Sequence, residues 1–123
     1  MRLEDVIKQI EGTVLTDAVD GQVEVEGGCG ADLMSDVLAS IQPRAVLMTG
    51  LCNPQVVRTA QMADVAAIVF VRGKMPAPEV VDLANEENIP LITSPYGMFE
   101  VCGRLCRAGL PSLERRIGSM DGE

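Results

Sequence analysis

Apolar residues recur along this chain with two different periods. In "MRLEDVIKQIEG", Leu3, Val6, Ile7 and Ile10 share one face at helical spacing, which predicts an opening helix stopped by Gly12. "TVLTD" and "QVEVEG" are strand candidates, the second alternating Val23 and Val25 with polar neighbours, and Asp20-Gly21 between them signals a turn. "ADLMSDVLASI" returns to helical spacing, with Leu33, Met34, Val37, Leu38 and Ile41 on one face.

From Pro43 onward a unit repeats. "AVLMTG" leads to the helix "PQVVRTAQMA", "AAIVFVRG" to "EVVDLANEEN", and "PLITS" to "YGMFEVCGRLCR". Successive strands begin at Ala45, Ala66 and Pro90, roughly twenty residues apart, the spacing of strand–loop–helix units. Unbroken apolar strands imply a sheet covered on both sides. The predicted fold class is therefore α/β, a mostly parallel sheet with helices on both faces, built from repeated βα units. Asn53 and Ser94 read as helix N-caps, each followed by a proline suited to the first helical position. One domain is expected over residues 1–110, followed by a polar, frayed tail over 111–123 with at most one short turn.

Composition narrows the chemistry. The chain has 123 residues, 47% of them hydrophobic but only 2% aromatic, so Val, Leu, Ile, Ala and seven methionines must fill the core. A net charge of -8 argues against nucleic acid and anionic membrane surfaces as partners. No apolar run approaches the ~20 residues of a membrane span. The first residues read as an amphipathic helix and not as a signal peptide, which predicts a cytoplasmic protein. Cys29, Cys52, Cys102 and Cys106 are then expected as reduced thiols. With no histidine in the chain, the commonest general base, nucleophile activator and metal ligand are missing.

Three candidate sites follow from motifs. "EVEGGCGADLM" places three glycines in four positions before a helix, as a phosphate loop would. It lacks the Walker lysine and the third glycine of the dinucleotide fingerprint, and Glu24, Glu26, Asp32 and Asp36 surround it. A structural turn into a helix capped by Asp32 is the expectation. Cys102 and Cys106 are four apart on a helix, a spacing that suits a metal, but Met98, Phe99, Val101 and Leu105 share that face and suit core packing. No C-x-x-C pair exists, and neither a metal nor any other cofactor is expected.

The third candidate is the set of loops after the parallel strands, "TGLCNP", "VRGKMP" and "TSPYG". Ligands of open α/β sheets bind at the carboxyl ends of strands, so these loops are expected to cluster there. They offer Thr49, Gly50, Asn53, Arg72, Gly73, Lys74, Ser94 and Tyr96. Two cations beside a glycine in an acidic chain suit a small anionic ligand such as a nucleotide. Ordinary solvated loop residues are the alternative.

The stretch "VFVRGKMPAPEVVDLANEENIPLITSPYGMFEVCGRL" resembles the DRTGG domain, found alone or fused to CBS pairs and phosphate acetyltransferase, and equally the non-catalytic N-terminal domain of HPr kinase/phosphorylase. The resemblance covers most of residues 1–110 and rests on element order and on "G-x-x-P-x-x-E-x-x-x-L-A-x-E-x-x-I-P". The string D-R-T-G-G is itself absent. "TGLCNPQ" stands in that region, so no ligand role transfers to those residues. The resemblance implies a dimeric regulatory or ligand-sensing module without catalysis of its own. The rival expectation is an accessory subunit that docks onto a metabolic or redox enzyme complex. An enzyme would have to use Glu24, Glu100 or a cysteine as its base or nucleophile, and no catalytic residue is assigned.

Overall fold

The three apolar stretches from Ala45 onward form the middle of a five-stranded sheet. The structure is a computed structural model, which describes residues 1–17 and 19–116. Its strands are β1 (Thr13–Val14), β2 (Gly27–Gly30), β3 (Ala45–Thr49), β4 (Ala67–Phe70) and β5 (Leu91–Thr93), in spatial order β1-β5-β4-β3-β2. Strands β2 to β5 pair in parallel, and β1 adds an antiparallel edge on β5. The helices are α1 (Leu3–Gln9), α2 (Met34–Ser40), α3 (Pro54–Ala63), α4 (Pro78–Glu86) and α5 (Met98–Arg107).

Strand order explains the layering. From β2 to β5 every crossover steps one strand in the same direction, so right-handed connections place α2, α3 and α4 together on one face. Leu47, Ile68, Phe70 and Leu91 point into that layer and meet Met34, Val37, Val56, Val57, Val80 and Ala84. The alternate residues Val46, Met48, Val69 and Ile92 point to the other face, where α1 and α5 supply Leu3, Val6, Ile10, Val101 and Leu105. Strands β3 and β4 are buried at every position, as their unbroken apolar sequence predicts.

The structure departs from the sequence reading at several places, one of them on α5, where Phe99 and Cys106, expected in the core, are exposed. The strand beside β3 is not "QVEVEG" but the glycine run itself, Gly27–Gly30, expected as a turn. A Cβ on Gly27 would lie 2.5 Å from Leu113 Cγ and 2.7 Å from the Pro111 carbonyl oxygen, and one on Gly30 would lie 3.2 Å from Cys102 Sγ. The strand is glycine-rich because α5 and the segment after it press onto it, a requirement that overrides β propensity. That segment is another departure. Residues 111–116, expected to be frayed, run beside β2: Gly28 N–H donates to Pro111 O and Leu113 N–H to Gly28 O, both at 2.9 Å. The rest of the expected tail, 117–123, lies outside the described residues.

Three helix-end expectations also change. The residue leaving α1 in the left-handed conformation is Glu11, at φ 51°, and not Gly12. Leu33, not Asp32, occupies the N-cap position of α2, and both Leu33 and Leu38 are exposed. Ser94 does not cap α5, which starts after Gly97; its buried hydroxyl instead donates to Ile10 O at 2.8 Å. Asn53 does cap α3, accepting from Val56 N–H at 3.3 Å, with Pro54 as the first helical residue.

Candidate functional site

Parallel pairing brings the ends of β2, β3 and β4 to one edge, and each contributes a wall to a cleft there. Asp32 follows β2, Gly50 and Leu51 follow β3, and Val71, Arg72 and Lys74 follow β4. With Met98 of α5 these residues line a cavity of about 420 Å³. Its size suits a small metabolite, since ligand pockets commonly enclose about 300–1,000 Å³.

The floor is built on a buried threonine. Thr49 is fully buried; its hydroxyl donates to Asp32 Oδ1 at 3.0 Å and accepts from Leu51 N–H at 3.1 Å. Gly50 N–H donates to the same Asp32 oxygen at 2.8 Å. Asp32 is therefore anchored through Oδ1, while Oδ2 has no hydrogen-bond partner among the described residues. A Cβ on Gly50 would meet Asp32 Oδ1 at 3.7 Å, Lys74 Cε at 3.8 Å and Asp32 Oδ2 at 3.9 Å. The carboxylate and the lysine stem thus flank one bare patch of backbone.

The cationic wall is a tight turn. Arg72 and Gly73 have φ of 62° and 65°, and Lys74 N–H closes onto Val71 O at 3.2 Å. Two consecutive positive φ angles suit glycine and strain arginine. The turn is pinned from below, with Arg72 N–H donating to Tyr96 O and Gly73 N–H to Ser94 O, each at 2.7 Å. Thr93 Oγ1 adds a bond to Lys74 O at 2.9 Å. The Arg72 side chain lies over Gly97, whose Cβ position is 3.9 Å from Arg72 Nε. Neither Arg72 nor Lys74 has an ion-pair partner among the described residues.

Of the residues offered by the sequence, Gly50, Arg72 and Lys74 line this cleft. Thr49 and Gly73 lie in its framework without lining it. Asn53 faces solvent as a helix cap, and Ser94 is buried against α1. Tyr96 turns away: its hydroxyl donates to Glu11, and the Arg104 guanidinium stacks 4.0 Å above its ring. Asp32, Leu51, Val71 and Met98 were not among the sequence candidates. Asp32 would have joined them had "GGCG" been read as a strand, because it then occupies the loop after a parallel strand.

Two other features compete. A cleft of about 440 Å³ beside Gln9, Glu100, Arg104, Arg107 and Ala108 also holds arginines, but Arg104 is committed to Glu100 at 2.8 Å and to Tyr96. The cysteines are the other. Burial, with Glu114 beside it, pushes the Cys29 thiol up to about 12, and burial also raises Cys52 and Cys102. Such thiols are poor nucleophiles. Among the described residues no three His, Cys, Asp or Glu side chains form a group suited to a metal. No described helix is long and apolar enough to cross a membrane.

Comparison with known proteins gives a family model described as the DRTGG domain, which matches residues 5–108. No curated protein matches the chain. Among solved structures, it is similar to the CBS and DRTGG domains of the regulatory region of Clostridium perfringens pyrophosphatase, determined in complex with the activator diadenosine tetraphosphate. The TM-score is 0.67 at 17% identity, over 95% of this chain and 51% of that one. This chain therefore spans about half of its structural relative. At that identity the likeness speaks for the fold.

Proposed function

The chain belongs to the DRTGG domain family, whose model spans residues 5–108, and on that premise we propose that it is a non-catalytic regulatory module sensing a nucleotide or another small anionic metabolite. The observation that carries this reading is the pair Arg72 and Lys74, unpaired among the described residues and held over a cleft at the carboxyl edge of the sheet. In a chain of net charge -8, two cations pinned there by backbone bonds are a local reversal of the surrounding field. The related pyrophosphatase region binds a nucleotide activator, which supports a nucleotide as the ligand class here. A cytoplasmic location fits such a ligand. The finer kinship, with the N-terminal domain of HPr kinase/phosphorylase, is supported by the 73–90 stretch.

Calorimetric titration with adenine, guanine, cytosine and uracil nucleotides and with diadenosine tetraphosphate tests the reading. Binding of at least one, weakened about tenfold or more in Arg72→Ala/Lys74→Ala, is expected, since about 1.4 kcal/mol separates each factor of ten. Silence across the whole panel refutes a nucleotide as the ligand.

A second reading, docking onto a partner, is favoured by one feature. Leu33, Met75 and Phe99 are exposed by 60%, 64% and 93%, and each directly follows a residue that lines the cleft. Exposed apolar side chains around a ligand site suit an interface. We assign that rim to a second copy of the chain in a homodimer, with an enzyme as the alternative partner. Light scattering at micromolar concentration decides between dimer and monomer.

A further inference from the structure

A carboxylate inside an anion site needs a chemical reason. Asp32 is anchored by two hydrogen bonds to Oδ1, and its Oδ2 and the stem of Lys74 both border the bare backbone of Gly50. It cannot swing clear without breaking the bonds from the Thr49 hydroxyl and Gly50 N–H. A bare phosphate approaching Arg72 and Lys74 therefore meets a fixed like charge, which disfavours it. A ligand that carries a hydroxyl next to its phosphate meets an acceptor instead, and a hydrogen bond to a charged group is among the stronger ones.

We infer that Asp32 is a specificity-determining residue that selects a sugar-bearing phosphate, a ribonucleotide whose ribose hydroxyl donates to Oδ2 while its phosphate lies against Arg72 and Lys74. This rests on the nucleotide-sensing reading above. A divalent cation bridging Asp32 to the phosphate is the competing way to remove the repulsion. One carboxylate with one oxygen already engaged is a sparse set for it, and no cluster of three or more carboxylates or thiols suited to a metal supports it among the described residues.

The experiment is calorimetry on the full chain with ADP and GDP, their 2′,3′-dideoxy analogues, and pyrophosphate, with EDTA throughout and then repeated with magnesium. The wild-type protein is expected to prefer at least one ribonucleotide about tenfold over its dideoxy analogue and over pyrophosphate, with EDTA present. Asp32→Asn keeps an acceptor for Gly50 N–H but removes the charge. It is expected to tighten pyrophosphate binding and to shrink the preference for ribose to threefold or less. Equal binding of the ribo and dideoxy forms overturns the role of Asp32 and leaves the sensing of anions standing. A preference that appears only with magnesium overturns it in favour of the bridging cation. No binding by any of these probes to the wild-type chain overturns the role of Asp32, and silence across the wider nucleotide panel above overturns nucleotide sensing as well.

Discussion

Replacing Gly27 by alanine tests how the edge of the sheet is built. The new methyl would lie 2.5 Å from Leu113 Cγ and 2.7 Å from Pro111 O, and the second contact is backbone that cannot rotate aside. If residues 111–116 detach, four backbone hydrogen bonds go with them: Gly28 to Pro111, Leu113 to Gly28, Gln42 to Leu113 and Arg115 to Ser40, at 2.8–3.1 Å. At about 0.5–1.5 kcal/mol each they contribute about 2–6 kcal/mol. The half-buried Leu113 adds about 1 kcal/mol of apolar contact. Freeing the backbone returns much of this as entropy, about 1 kcal/mol per released residue. If the segment stays, β2 must shift, and overpacking of this kind costs about 1–3 kcal/mol. Six released residues return about 6 kcal/mol, so detachment costs about 1 kcal/mol at most, whereas a shifted β2 costs about 1–3 kcal/mol. With a urea slope of about 2 kcal/mol/M, the midpoint should fall by up to about 0.5 M on detachment and by about 0.5–1.5 M if β2 shifts. Hydrogen exchange separates the routes, because detachment alone exposes the amides of Leu113, Gln42 and Arg115. An unchanged midpoint with those amides still protected would refute the account of why β2 is glycine.

Gly50→Ala is the matched contrast: its methyl finds neighbours no closer than 3.7 Å, so the urea midpoint should stay within about 0.3 M while nucleotide affinity falls. Loss of stability with intact affinity would place Gly50 in the framework and not in the site. Ser94→Ala removes a fully buried hydroxyl that bonds Ile10 O and Tyr96 N–H, and should cost about 1–3 kcal/mol by denaturation; a neutral result contradicts its role in tying α1 to the loop after β5. The Cys29 thiol keeps its proton up to about 12 in the folded chain, whereas an unfolded thiol releases it near 9.0. The unfolded state thus binds fewer protons between those values, so stability should decline as pH rises from 9 towards 12, and less steeply in Cys29→Ala. Identical pH profiles for the two proteins would exclude Cys29 as a cause.

Element type was legible wherever burial was two-sided and the period unbroken. The strands β3, β4 and β5 and the helix Pro54–Ala63 follow the apolar runs and the Asn53-Pro54 cap almost residue for residue. Legibility failed at the edge of the sheet. No propensity argument points to "GGCG" as a strand, because its identity is imposed by what packs on it from sequence-distant Met98, Cys102, Pro111 and Leu113. One misplaced strand then moved Asp32 from the site to a helix cap. Arg72, Gly73 and Lys74 could be found from charge and glycine alone, and the rule of the carboxyl edge placed them near Gly50. The inward turn of Ser94 and the outward turn of Tyr96 depend on α1, whose docking against α5 no local pattern encodes.

The nucleotide-sensing reading stands or falls on one titration. Binding of a nucleotide to the wild-type chain, measured by calorimetry and repeated with Arg72→Ala/Lys74→Ala, should show an affinity reduced about tenfold or more at an unchanged urea midpoint. Equal affinity in the two proteins, or no heat from any nucleotide in either, would contradict a nucleotide held at the turn of Arg72 and Lys74.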